Sequence, residues 1–155
     1  MTDEAFAEQV VAMRTTLYRV SSGIQPWECD REDAVQTCIE KAWRKRGWLR
    51  DERYLQTWVI RILINACYDI LRKHARETPV ELSEWESAAD ADGDAHDLLL
   101  SLDDSLRVPA MLYYIERYEV AEIARMLHLP AGTVKSRLHR AREKLRQVLG
   151  EEGLR

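Results

Sequence analysis

The cysteines of this chain are few and build no site. Cys29, Cys38 and Cys67 are odd in number and form no CxxC, so neither a disulfide framework nor a zinc site is expected. They read as small, partly buried apolar residues in a reducing compartment. No apolar run is long enough to span a membrane. Met1-Thr2-Asp3-Glu4 lacks a basic segment followed by an apolar one, so a cytoplasmic location is expected. There is no glycine-rich phosphate loop, no H-x-x-x-H, and no nucleophile with a base at motif spacing, which argues against an enzyme and leaves no cofactor to expect. Asp90-Ala91-Asp92-Gly93-Asp94 has a superficial likeness to a calcium loop, but Ser101 stands where the bidentate Glu is needed.

What is present is charge, unevenly placed. The net charge of −4 hides 3 basic and 8 acidic residues in 1–40, 10 and 3 in 41–76, none and 10 in 77–104, and 6 and 1 in 133–146. Two basic blocks flank an acidic one. The total argues against nucleic acid; the distribution argues for it.

The apolar spacing is helical. Phe6, Val10, Met13, Leu17 and Val20 predict one helix over 3–20, closed by Gly23 and Pro26. Asp30 is expected to cap a second helix, with Ala34, Val35, Cys38, Ile39, Ala42 and Trp43 on its apolar face and Gly47 as its C′ residue. Leu55, Trp58, Val59, Ile62, Leu63 and Ala66 mark a third, from about Tyr54 to Lys73. No stretch of 1–76 alternates with period two, so no strand is expected. Residues 77–100 are acidic and read as a disordered or nearly disordered linker. From Leu102 the pattern returns, with one helix over 103–116, a short one around Val120–Leu127, a turn Leu129-Pro130-Ala131-Gly132, and a last helix Thr133–Leu149. Two helices joined by such a turn make a helix-turn-helix.

On that last helix Val134, Leu138, Ala141 and Leu145 form a narrow stripe, and the remaining faces are mainly basic. Lys135, Ser136, His139 and Arg140 are candidates for base edges. Arg137, Arg142, Lys144 and Arg146 suit phosphates, or packing in the case of Arg137. The other basic block, Lys41 to Arg53 with Arg61, Arg72, Lys73 and Arg76, is either a solvated surface or a track for an unpaired strand, since Trp48, Tyr54 and Trp58 are interleaved with its bases. Trp43 and Trp58 fall on apolar stripes and are expected in the core. Asn65 is either a satisfied core amide or a reader of a base edge.

Three segments resemble one family. Asp30-Arg31-Glu32-Asp33-Ala34-Val35-Gln36 through Lys41-Ala42-Trp43-Arg44 is similar to the D-x-E-D-x-x-Q…K-A-W segment of extracytoplasmic-function sigma factors. Leu55-Gln56-Thr57-Trp58 through Asn65 and Asp69-Ile70-Leu71-Arg72-Lys73 resembles that family's F-x-x-W-L-x-R-I-x-x-N…D-x-L-R-R. Gly132-Thr133-Val134-Lys135-Ser136-Arg137-Leu138-His139-Arg140-Ala141-Arg142 resembles its G-T-V-K-S-R-L-x-R-A-R. The resemblance implies an all-α, two-domain initiation factor: residues 1–76 as region 2, 77–101 as the acidic linker and 102–155 as region 4.

It further implies that Asp33, Gln36 and Glu40 bind the β′ clamp helices of core RNA polymerase. Arg50, Arg53, Gln56, Arg61, Asn65, Arg72 and Lys73 would meet the −10 promoter element, with Asn65 and the 49–56 loop at a flipped base. Thr133, Lys135, Ser136, Arg137, His139, Arg140 and Arg142 would meet the −35 element while region 4 binds the β flap. The linker would thread the core enzyme. Its ~24 residues reach ~80 Å. An anti-sigma factor is implied as a partner, and no insertion into a membrane. A helix-turn-helix regulator with a dimerisation or sensor domain is the alternative, and an inhibitory adaptor that binds polymerase but not DNA is a third.

The chain departs from the family pattern at Leu55 for Phe, at Thr37-Cys38, and at Asp103-Asp104 for Pro-Pro. Arg117 and Glu119 stand where Gly and a capping Ser are usual. Pro109 is expected to kink the 103–116 helix or delay its start.

Overall fold

Apolar residues recurring every three or four positions become helices in both halves of the chain. The computed structural model describes residues 1–76 and 93–153, and among these every regular element is helical. They divide into two compact units.

In the first unit Thr2 caps α1 (Asp3–Ala12), its hydroxyl accepting from the Ala5 amide at 3.1 Å. The single helix expected over 3–20 is in fact two. The Met13 amide donates to Val10 O at 3.1 Å, a tightened turn, and α2 (Arg14–Ser22) begins after it. Because Met13, Leu17 and Val20 all stay buried, the break redirects the apolar stripe without exposing it. α3 (Glu28–Arg44) starts at the Trp27 cap, so Asp30 lies inside its first turn and is not the cap. Asp30 instead meets His74 of α4 (Leu55–Ala75), Nε2 to Oδ2 at 3.0 Å. Nor does Gly47 take the left-handed C′ conformation. α3 runs into a 3-10 turn, Arg46–Trp48, and Gly47 lies within it at negative φ.

α2, α3 and α4 pack on one another around Leu17, Val20, Ala34, Cys38, Val59 and Leu63, each fully buried. Burial pushes the Cys38 thiol up to about 12 and the Cys67 thiol higher still, so both are packing residues; Cys29 is exposed.

Two buried polar side chains organise the entry to α3. Arg31 is fully buried and donates from Nε to Gln25 O at 2.9 Å and from Nη2 to Pro26 O at 3.1 Å. Gln25 in turn donates from Nε2 to Cys67 O at 2.6 Å, tying the bend between α2 and α3 to α4.

The second unit begins earlier than its composition suggests. Residues 93–100, expected as linker, form α5 (Gly93–Leu100), and His96 and Leu99 are buried. The run Leu98-Leu99-Leu100 supplies an apolar face that the surrounding Asp residues mask in a composition count. The rest of the expected linker, 77–92, lies outside the described residues.

α6 (Asp104–Ala110) starts without delay because Asp103 caps it, its carboxylate accepting from the Leu106 amide at 3.3 Å. The Ser105 hydroxyl, then the Leu106 amide and Lys144, hold the Asp103 carboxyl below the ordinary carboxylate range against a smaller opposing effect of burial. This cap is complete above the unfolded carboxyl pKa and is lost as pH falls through the lowered one.

Pro109 cannot donate, and two residues later the backbone widens into a π turn, Met111–Ile115, closed by Glu116 N to Met111 O at 3.1 Å. Arg107 is buried as Arg31 is, donating to Leu102 O at 2.6 Å and pairing with Asp104.

α7 (Val120–Leu127) and α8 (Ala131–Gly153) form the helix-turn-helix. His128, at φ 56° and ψ 45°, makes the left-handed turn. α8 then begins at Ala131, two residues before the expected Thr133, so Gly132 lies in its first turn rather than in the loop. Gly150, at φ 69°, interrupts it near its end.

Arg117 sits at φ 63°, in the left-handed region that favours glycine, and Glu119 caps α7 without a side-chain hydrogen bond. Relieving the first and supplying a hydroxyl cap should together add about 1–2 kcal/mol. Arg117→Gly with Glu119→Ser is therefore expected to raise the thermal midpoint of this unit, followed by circular dichroism. An unchanged or lower midpoint would mean that neither position is strained.

Candidate nucleic-acid interface

α8 separates its faces cleanly. Val134, Leu138, Ala141 and Leu145 are buried in the second unit, as the sequence stripe predicts. Lys135, Ser136, His139 and Arg140 are exposed. At ~100° per residue these four occupy an arc of ~140° opposite the buried stripe. Thr133 and Arg137 are half-buried at its edges.

The remaining bases of α8 already have partners. Arg142 donates from Nη1 to the Tyr114 hydroxyl at 2.9 Å, and that bond holds its guanidinium all the more firmly charged. Arg146 pairs with Glu143 at 2.7 Å, and Lys144 lies 3.9 Å from Asp103. Among the described residues Lys135 and Arg140 form no ion pair, so the uncompensated charge lies in the first half of the helix. This is the half expected to meet base edges.

The first unit carries a second basic surface in two parts. On α4, Arg61, Asn65 and Arg72 fall within ~40° of one another around the axis. Asn65 is exposed, which removes the core-amide reading. Arg72 pairs with Asp69 on the next turn down, and Lys73 is exposed but lies ~100° away from Arg72.

The second part is the connector from α3 to α4, which presents Arg50, Arg53 and, at the start of α4, Gln56, all exposed. Trp48 is 74% exposed with the Lys45 ammonium 5.3 Å from its ring centroid, and Tyr54 is 43% exposed with the Arg53 guanidinium at 5.8 Å. Trp43, expected in the core, sits instead at the rim. It is 41% exposed, tilted against Phe6 at 6.3 Å and covered by the Arg46 guanidinium at 3.9 Å. Its ring meets Phe6, and Arg46, fixed by Asp3 at 2.9 Å, lies over it. Trp58 is half-buried, its ring edge-on to Phe6 at 6.2 Å.

Asp51 is the residue that sequence reasoning missed in this connector. Its carboxylate accepts from the Arg53 amide at 3.0 Å and from Arg53 Nη2 at 2.7 Å. An Asp two residues before its backbone partner is a local turn signal, which the Asp51-Glu52-Arg53 run carries and the charge count overlooked.

α3 supplies a third surface. Asp33, Gln36 and Glu40 are exposed on its outer face, and Gln36 Nε2 donates to Glu40 Oε1 at 3.1 Å. Among the described residues no group of His, Cys, Asp and Glu is arranged to hold a metal ion, and no helix is long and apolar enough to cross a membrane.

Comparison with known proteins follows the same division. Residues 10–77 match the Sigma-70 region 2 model and residues 93–145 the Sigma-70, region 4 model. The chain is 32% identical over 127 residues to the ECF RNA polymerase sigma factor SigM of Mycobacterium tuberculosis, covering 78% of this chain and 65% of that one. It thus spans just under two thirds of that relative's length. It is 30% identical over 152 residues to an RNA polymerase sigma-E factor of Streptomyces antibioticus, covering 93% and 84%. A solved structure of the sigma factor RpoE with the anti-sigma factor NepR, from Bartonella quintana, shares the fold. Its TM-score is 0.78 at 24% identity, over 94% of this chain and 97% of that one.

Proposed function

The chain belongs to the extracytoplasmic-function family of sigma-70 factors, and on that premise we propose that it binds core RNA polymerase, reads the −10 and −35 promoter elements and promotes strand opening. Family members are not enzymes, and nucleotide addition belongs to the polymerase. One observation carries the reading: each of the two matched units presents a basic face, Asn65 and Arg72 exposed beside the half-buried Arg61, with the connector, in one and Lys135–Arg140 in the other.

The two faces suit different substrates. α8 is a rigid rod whose first turns offer donors to a duplex groove. The connector offers exposed rings beside cations, which favours stacking of unpaired bases over groove reading. Stacking and edge hydrogen bonds offset the free energy of unpairing, so capture of an open strand drives opening without any chemical step. The outer face of α3, with Asp33, Gln36 and Glu40, is left for the polymerase. An anti-sigma factor that covered this face would block core binding; the similar fold seen in complex with one supports that partner.

The test is transcription. The purified chain, added to core polymerase free of other sigma factors on supercoiled template, is expected to start transcripts from a small set of promoters. Absence of core binding and of any transcript would refute the reading. Sequence-specific duplex binding without core binding would point instead to a helix-turn-helix regulator.

A further inference from the structure

The bases of α8 beyond its reading half differ in what their partners do to their charge. Arg146 pairs with the Glu143 carboxylate at 2.7 Å and Lys144 faces Asp103 at 3.9 Å, so an opposite charge stands beside each. Arg142 is bonded instead to a neutral phenol, Nη1 donating to the Tyr114 hydroxyl at 2.9 Å. A hydroxyl fixes a guanidinium without cancelling its charge, and this bond holds Arg142 in its charged form. The Nε/Nη2 edge of Arg142 has no partner among the described residues. That edge carries two parallel donors, the arrangement that matches two oxygens of a phosphate.

The π turn sets where the phenol stands. Tyr113 and Tyr114 leave Met111–Ile115 on its exposed side, their rings edge to face at 5.0 Å and 87°. Tyr113 braces the Tyr114 ring, and the hydroxyl meets α8. Beside it lies a recess of about 470 Å³, lined by Leu98, Leu99, Ile115 and Leu145 and by Arg142 itself. An arginine stem packs readily on apolar surface of this kind. Without the hydroxyl, nothing printed in its surroundings keeps the Arg142 side chain from folding over the recess.

Around the axis Arg142 lies within ~20° of Lys135, and it stands two turns, ~10 Å, further along. The N-terminal turns of a reading helix enter the groove, so a residue two turns on stands near the phosphates that border it. A base edge would require Arg142 to leave Tyr114; a bordering phosphate would not.

We infer that Tyr114 is a positioning residue for duplex binding, its hydroxyl holding Arg142 so that the Nε/Nη2 edge meets a backbone phosphate. The inference rests on the proposed placement of α8 on the −35 element.

The experiment uses the full chain bound to core polymerase and a short duplex holding only the upstream element, selected from a randomised pool by the wild-type complex. Its scrambled counterpart is measured beside it. Tyr114→Phe keeps the ring and its contact with Tyr113 and removes the hydroxyl alone. It is expected to weaken both duplexes alike by roughly 2- to 12-fold, the range of one net hydrogen bond, with a shallower salt dependence. Arg142→Ala should lower the salt slope by about 0.9, the mark of one phosphate contact on a duplex. In that background Tyr114→Phe should change nothing further. A packing defect would weaken binding in both backgrounds, so the double-mutant cycle separates positioning from structure.

Tyr114→Phe binding as tightly as wild type, or losing as much without Arg142 as with it, would overturn the inference and leave α8 on the duplex. If Arg142→Ala alters neither affinity nor salt slope, Arg142 touches no phosphate and the inference fails at that residue. If the wild-type complex selects no upstream duplex, the placement of α8 fails as well.

Discussion

Arg31→Ala is expected to destabilise the first unit by about 3–6 kcal/mol, enough to unfold many domains of this size. Arg31 is fully buried and supplies donors to two carbonyls, Gln25 O and Pro26 O, that lie just outside α3 and have left the helical ladder. Removing it leaves two buried acceptors without these donors, at about 1–3 kcal/mol each, and opens a cavity where the side chain was. The bend it holds also carries Gln25, whose amide anchors to Cys67 O on α4. The loss should therefore spread to the packing of α2 against α4.

Arg31→Lys is expected to fall between wild type and Arg31→Ala, because a single ammonium cannot reproduce a planar fork spanning two carbonyls. Urea unfolding of the full chain, followed by far-UV circular dichroism, measures both. Arg14→Ala, at an exposed position of α2, should stay within about 0.5 kcal/mol of wild type. An Arg31→Ala midpoint equal to that of Arg14→Ala would mean the buried guanidinium contributes nothing net.

Arg31 also shows where sequence reading stops. It lies in the Asp30–Gln36 segment that carries the family resemblance, and in a charge count it is one more surface base. Nothing in its spacing distinguishes it from Arg14. Its burial follows from Pro26 and the sharp entry to α3, which are tertiary facts, and Arg107 repeats the case against Leu102 O in the second unit. By contrast α4 and α8 were legible almost to their ends, because a stripe repeated over about three turns outweighs any local preference.

The breaks were not legible. Met13 interrupts a continuous stripe without interrupting its burial. The start of α5 hides among Asp residues, and the turn after α7 is made at His128, one residue before the expected turn Leu129–Gly132. The candidate surfaces divide in the same way. Residues on helices could be assigned to faces by angle alone, and Lys135, Ser136, His139 and Arg140 share one exposed face of α8. The connector has no period, so the roles of Asp51 and Trp43 emerge only from coordinates. Asn65 had two readings that differ only in exposure, and exposure is what the packing of α4 decides.

Lys135→Ala and Arg140→Ala are expected to remove most of the sequence selectivity of α8, each weakening the best duplex site by about 1–3 kcal/mol, or roughly 5- to 150-fold, with a much smaller effect on unrelated DNA. The argument rests on which bases are committed elsewhere. Arg142 is held by Tyr114, Arg146 by Glu143, and Lys144 faces Asp103. Moving any of them to DNA first breaks a contact within the unit. Lys135 and Arg140 lie in the first turns, exposed, on the arc opposite the buried stripe, so they reach a groove floor without rearrangement. Arg142→Ala should then act mainly through phosphate, lowering affinity for all sequences alike and flattening the salt dependence by about one unit of slope. Competition binding against a randomised duplex pool at two salt concentrations separates the two classes. If Arg142→Ala relaxes sequence preference as much as Arg140→Ala does, the reading face of α8 lies further along the helix, and the Tyr114 contact opens on binding.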